Sequence, residues 1–151
     1  MPELAPFTAT VISCMASPEA LDALVVPGQA RACRVATDEL LLIAPAETDG
    51  AHLAREVTDR VVVGDPDALV LEVTDGWAAR TLRGDGAREA FAHLSQLELP
   101  AEGFVQGDVA HVHVKILADG ERLDLLVPAY WERHLRDRLL HEGPGVREVP
   151  A

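Results

Sequence analysis

The pair Asp119-Gly120, set between two alternating apolar runs, constrains the fold more than any other stretch of this sequence. Asp-Gly is a strong signal for a two-residue hairpin, because a turn that matches the twist of its flanking strands needs residues that tolerate positive φ. Before the pair, Val112, Val114 and Ile116 fall on one side of an extended chain, and His111, His113 and Lys115 fall on the other. After it, Leu123, Leu125 and Val127 supply a matching apolar face. Side chains alternate along a strand with a period of two, so this segment reads as an antiparallel pair with one face in the core. Pro128 then opens a closing helix, with Trp131, Leu135 and Leu139 on one stripe and a surface pair from Glu132 to Arg136.

The rest of the chain reads in the same way. Phe7 to Cys14 is β-prone, and Ser17-Pro18 supplies an N-cap and a first-turn proline for a short helix that Pro27-Gly28 ends. Ala30 to Ala36 pairs with Glu39 to Ala44 across Thr37-Asp38, and Leu40 to Ile43, apolar on both faces, belongs in a sheet interior. Thr48 or Asp49 caps a helix running through Val57. Val61-Val62-Val63 and Ala68 to Thr74 read as two strands joined by turn residues. A polar corner at Thr74-Asp75-Gly76 leads into a further extended piece. Gly84-Asp85-Gly86 then opens a helix in which Asp85 is the cap and Ala87, Ala90, Phe91 and Leu94 form the stripe.

These elements sum to an α+β fold: two layers, a largely antiparallel sheet with helices on one side. A chain of 151 residues is expected to form one domain, 1–151, with loose termini at 1–6 and 142–151, the latter holding Gly143-Pro144-Gly145. The net charge of −12 argues against a surface that neutralises phosphates, so no nucleic-acid partner is expected. No apolar run approaches the roughly 20 residues that span a bilayer, so no membrane partner is expected either. Pro2, Glu3 and Pro6 stand where a secretory leader would carry basic residues, and Cys14 and Cys33 form no CxxC pattern. A cytoplasmic location follows as the expectation.

Several segments, taken in order, carry a family resemblance. Thr37-Asp38-Glu39-Leu40-Leu41-Leu42 resembles a Pro-Asp-Glu-Trp-Leu-Leu strand entry. Val73-Thr74-Asp75, Leu82-Arg83-Gly84 and Ala87-Arg88 resemble a Val-Ser/Thr-Asp, Leu-Ser-Gly-Pro-x-Ala-Arg core. Leu97-Glu98-Leu99-Pro100, with Phe104 and Gly107, is similar to a Leu-Asp-Leu and Phe-x-x-Gly stretch, and Leu125 to Tyr130 is similar to a hairpin-to-helix junction. Together, from about residue 8 to residue 141, they resemble the gamma subunit of heterotetrameric sarcosine oxidase, within the folate-binding aminomethyltransferase-like superfamily.

The resemblance implies a small, non-catalytic subunit that packs against and stabilises a large one while the complex oxidatively demethylates sarcosine or a related amine. It implies partners of two kinds, a large alpha-type subunit and a flavin-bearing beta-type subunit. FAD, FMN, NAD and tetrahydrofolate are implied in those partners and no cofactor in this chain. A different class of protein remains in view, a stand-alone tetrahydrofolate-binding one-carbon-transfer protein.

The residues themselves offer little convergent chemistry. His111 and His113 lie two apart on an expected strand and so share a face, but a metal site needs a third ligand and no cluster flanks them. Asp75 is the one candidate for a folate contact, since folate-binding relatives hold the pterin with an acidic residue; its place at a corner also fits a turn carboxylate. Trp77, Tyr130, Arg80, His111 and His113 are the candidate interface residues, aromatics and arginine being enriched in binding hot spots. Trp131 is expected in the core. Cys14 and Cys33 are expected to pack as small hydrophobes.

Overall fold

The computed structural model describes residues 1–151. In chain order the elements are β1 (Glu3–Phe7), β2 (Ala9–Met15), α1 (Pro18–Ala23), β3 (Arg31–Ala36), β4 (Glu39–Pro45), α2 (Gly50–Val61) and β5 (Leu69–Glu72). They continue with β6 (Trp77–Arg83), α3 (Ala87–Ala92), β7 (Glu102–Val109), β8 (Val112–Asp119), β9 (Arg122–Pro128), α4 (Glu132–Glu142) and β10 (Arg147–Glu148). Two compact units result: Ala9–Thr74, and Met1–Thr8 together with Asp75–Ala151.

The unit Ala9–Thr74 holds a four-stranded antiparallel sheet in the order β3-β4-β2-β5. Its interior strand β4 is the run Leu40–Ile43, buried on both faces as its composition requires. Ile12, Cys14, Leu40 and Leu42 point to one side, where Ala20 and Leu21 of α1 and Leu53, Val57 and Val61 of α2 cover them. Both helices start as their sequences dictate. Ser17 Oγ accepts from Ala20 N at 3.3 Å ahead of Pro18, and Asp49, not Thr48, accepts from His52 N at 3.1 Å. The β-branched run Val61–Val63 does not form the expected strand. Val61 lies one turn beyond Val57 on the same buried stripe as Leu53, so α2 continues through it, and burial of that stripe outweighs β-propensity.

The second unit holds a six-stranded sheet in the order β10-β1-β6-β9-β8-β7, antiparallel except for the β1–β10 pair. Val112, Val114 and Ile116 face the core beside Leu123, Leu125 and Val127, under Ala87, Ala90 and Phe91 of α3 and Leu135 and Leu139 of α4. The turn sits one residue later than Asp119-Gly120 suggests: Asp119 pairs with Arg122, and Gly120 (φ 56°) and Glu121 form the loop. Moving the turn by one residue shifts the register by two, so every side chain keeps its face.

Three expectations change in this unit. Asp85 does not cap α3; Gly86 (φ 87°) occupies the cap without a side-chain bond, and both Gly84 and Gly86 take the left-handed backbone that turns the strand into the helix. The helix ends at Ala92, before Leu94. Neither terminus is loose: Leu4 is fully buried in β1, and Arg147 and Glu148 extend the sheet in parallel beside it. The Gly143-Pro144-Gly145 turn returns the chain to the sheet edge, where Arg147 Nη2 meets Glu3 Oε1 at 2.7 Å. The architecture is α+β, with largely antiparallel strands and helices on one face of each sheet, distributed over two sheets where one was expected.

Candidate functional site

His111 and His113 do not share a strand face. β7 and β8 are joined by the two residues Ala110 (φ 50°) and His111 (φ 67°), both left-handed, the backbone of a primed hairpin turn. No glycine or asparagine marks this turn, which is why the strand seems to begin earlier in the sequence. Three hydrogen bonds hold it: Ala110 N donates to Leu94 O (2.9 Å), Ser95 Oγ to Asp108 O (2.7 Å) and His134 Nε2 to Ala110 O (3.1 Å). His111 stands on the wall of an open cleft of about 490 Å³ with His93, Asp108, Arg138 and Glu142. Arg138 Nη2 bonds Glu142 Oε2 at 2.9 Å, and this bond holds the Glu142 carboxyl below the usual range. His113 lies in β8, exposed, with Nε2 3.3 Å from Gln106 Oε1. No group of three or more His, Cys, Asp or Glu side chains is placed to hold a metal ion.

Arg80 is engaged within the chain. Its Nε donates to Glu132 Oε1 at 2.7 Å and its Nη1 to Glu148 Oε1 at 3.1 Å, tying β6 to α4 and β10. Arg136 completes the network by gripping both oxygens of Glu148, which lowers the Glu148 pKa and raises that of Arg136. The expected pair from Glu132 to Arg136 is therefore replaced: Glu132 takes Arg80, and Arg136 takes Glu148 and its neighbour Asp137. Arg83 and Arg147 close on Glu3 and hold its carboxyl low, the Arg147 bond being the larger cause.

The aromatic candidates separate. Trp77 is half-buried at the start of β6, with Lys115 Nζ 5.8 Å from its ring centroid, a cation–π distance. Tyr130 is 80% exposed. Trp131, expected in the core, is 42% exposed, because a 3-10 turn over Ala129–Trp131 precedes α4 and swings the indole off the Leu135–Leu139 stripe. Tyr130 and Trp131 meet at a tilt with ring centroids 5.7 Å apart, and Trp131 meets His134 edge-on at 5.6 Å.

Asp75 sits exposed in the 3-10 turn Thr74–Gly76 and is not on the wall of the His111 cleft. The side-chain bonding at this corner falls to Thr74, whose Oγ1 donates locally to Glu72 Oε1 (3.2 Å) and accepts from Val11 N (3.0 Å), 63 residues away in sequence. Cys14 and Cys33 are buried and not joined in a disulfide, and burial raises the pKa of Cys14. A second cleft of about 240 Å³ lies in the other unit, walled by Pro27, Pro45, Leu53, Glu47 and Glu56. Its Glu56 is paired with Arg60 at 2.9 Å.

One polar cluster escaped the sequence reading. Thr81 Oγ1 donates to Asp124 Oδ1 at 2.6 Å, and Arg122 Nε lies 3.2 Å from the same oxygen. Asp124 is only 1% exposed. Its signal is a carboxylate inside the apolar run Leu123 to Val127, on the face that alternation gives to polar residues.

No protein-family model matches the sequence, and no curated protein does. Solved structures match in fold. A chain of the heterotetrameric sarcosine oxidase from Corynebacterium sp. U-96, in complex with pyrrole 2-carboxylate, superposes with a TM-score of 0.76 at 18% identity, covering 91% of this chain and 80% of that one. The glycine cleavage system aminomethyltransferase T from Bartonella henselae superposes with a TM-score of 0.70 at 17% identity, covering 98% of this chain. This chain spans about half the length of that protein, 47%. The class so defined is an α+β protein of aminomethyltransferase-type fold. Within that class, the likeness extends to one chain of a heterotetrameric oxidase.

Proposed function

We propose that this chain is a small, non-catalytic, gamma-type subunit of a flavin-dependent complex resembling sarcosine oxidase, and that it packs against and stabilises a large alpha-type subunit. The observation that carries this reading is the two-sided coverage of the oxidase superposition: most of each chain is matched, so the two are of similar length. The ordered sequence motifs from about residue 8 to residue 141 point the same way. In this reading the reaction is oxidative demethylation of sarcosine or a related secondary or tertiary amine. FAD, FMN, NAD and tetrahydrofolate reside in the alpha-type and beta-type partners.

The test is recovery of the tagged full chain from its native source, followed by mass spectrometry and a flavin absorbance spectrum. Stoichiometric recovery of a large flavoprotein is expected. A chain that emerges alone and monomeric refutes the reading. The aminomethyltransferase superposition, which takes in 98% of this chain, favours a second reading, a stand-alone tetrahydrofolate-binding protein of one-carbon transfer. That reading requires the isolated chain to bind tetrahydrofolate, and Asp75→Ala to weaken the binding. No calorimetric signal with tetrahydrofolate rejects it.

A further inference from the structure

The four-stranded sheet ends at β5, which pairs with β2 on one side only. Val73 N donates to Val11 O at 2.8 Å, and in this register Leu71 faces Ser13 and Leu69 faces Met15. Hydrogen-bonded and non-bonded pairs alternate in an antiparallel ladder. Leu69 and Leu71 therefore bond to β2, while the N–H and C=O groups of Val70 and Glu72 point outward along an open edge. Sheet edges of this kind template further strands, and proteins usually blunt them with lysine, proline or a bulge. β5, with the sequence Leu-Val-Leu-Glu, has none of the three.

The edge is also apolar. Met15, Leu69 and Leu71 project from the same face of the sheet, at 37%, 49% and 44% exposure. Carboxylates border them. Glu39 is paired with Met15 in β4, Asp67 precedes the strand and Glu72 ends it. No lysine or arginine occurs between Arg60 and Arg80.

We propose that the outer edge of β5 is a docking site for an extended segment of a different polypeptide. That segment adds as a fifth strand, with apolar residues laid against Leu69, Leu71 and Met15 and Lys or Arg beside Glu39, Asp67 and Glu72. Backbone bonds to Val70 and Glu72 supply the affinity, and the alternate side chains supply the selectivity. A second copy of this chain is a poor occupant. Antiparallel pairing of β5 with itself brings the Asp67 and Glu72 flanks of the two copies together, on molecules that each carry a net charge of −12. The proposal does not rest on the oxidase reading and survives its failure.

The test uses the full chain and a synthetic peptide of alternating valine and lysine, followed by amide hydrogen exchange. In the free protein the Val70 and Glu72 amides exchange fast; with saturating peptide they slow by about tenfold or more, while Leu69 and Leu71 change little. A peptide with glutamate in place of lysine leaves Val70 and Glu72 unprotected. Val70→Pro removes an outward donor and weakens peptide binding by about tenfold. Should that variant fail to fold, the double variant Leu69→Lys, Leu71→Lys gives the same loss through repulsion and lost apolar contact. Absence of protection at millimolar peptide overturns the proposal, as does equal binding of the acidic peptide. A homodimer in sedimentation that Leu71→Lys dissolves also overturns it, and assigns the edge to a second copy.

Discussion

Replacing Thr81 by valine removes one hydrogen-bond donor from the interior and changes the shape of the side chain very little. Thr81 and Asp124 are 3% and 1% exposed, and the hydroxyl donates to the carboxylate at 2.6 Å. Arg122, half exposed, keeps its contact with the same oxygen at 3.2 Å, so the carboxylate is not left bare. A hydrogen bond to a charged group contributes about 1.5–3 kcal/mol, and the short, water-excluded geometry here places the loss in the upper half of that range. For a chain of 151 residues, each kcal/mol moves Tm by roughly 2–4 °C, so a loss in that upper half is expected to lower the Tm of Thr81→Val by roughly 5–12 °C. Differential scanning calorimetry and urea unfolding measure it, the latter with an unchanged slope. Combining Thr81→Val with Asp124→Leu completes a double-mutant cycle. The two losses are expected to be sub-additive by about 1.5 kcal/mol or more, because an apolar pair leaves no buried group unbonded. A Thr81→Val change below about 0.5 kcal/mol, the size of an ordinary surface substitution, refutes the argument.

Other expectations are simpler. His111→Gly places glycine at φ 67°, where a side chain is strained, and should raise stability by about 0.5–1 kcal/mol after the added freedom of the unfolded chain is counted; a lower urea midpoint contradicts the turn geometry. Asp49→Ala removes the cap of α2 and should cost about 1 kcal/mol in urea unfolding, whereas Asp85→Ala should be close to neutral, since Asp85 caps nothing. Glu3, Glu142 and Glu148 are held below the ordinary carboxylate pKa by Arg147, Arg138 and Arg136 respectively. Their contribution to stability is complete above the unfolded value, near 4.3, and is lost as pH falls through the lower folded values. The urea midpoint should therefore drop below about pH 4, and Glu148→Gln should flatten that drop; an unaltered acid limb counts against the network.

Where a structural choice is made by neighbours in sequence, it was legible. Ser17 with Pro18, and Asp49 ahead of a Leu53–Val57 stripe, start helices because a cap needs only the next three residues. The hairpin at Thr37-Asp38 was legible as a polar pair between two strand-like runs, and the β8–β9 hairpin was legible to within one residue of its turn, because alternation along β8 leaves one way to bury the apolar face. The misread elements are those in which a distant surface outweighed a local preference. Val61–Val63 has strand-like residues, yet Val61 completes a helical stripe over β2 and β4. Ala110-His111 has poor turn chemistry, yet Leu94, Ser95 and His134 hold it in the left-handed region. Trp131 fits a helical stripe, but α4 begins one residue after it.

Among the candidate site residues the same division holds. Tyr130 could be marked from its type and its place at a corner, and it is exposed. Arg80 could not be assigned from sequence, since its acceptors Glu132 and Glu148 lie 52 and 68 residues away. The open edge of β5 was also out of reach. Leu-Val-Leu-Glu reads as a strand in any context, and only the strand order leaves it with one neighbour.

Hydropathy period, caps and turn residues, which act over a few positions, determined from sequence alone that this chain is α+β, which faces of its strands are apolar and where α1 and α2 begin. Tertiary structure decided what those signals do not encode. It divided the strands between two sheets, returned the C-terminus beside β1, chose which carboxylate each arginine meets and buried Asp124 against Thr81. Those outcomes depend on residues brought together by loop closure, and the sequence distance between them leaves no local trace.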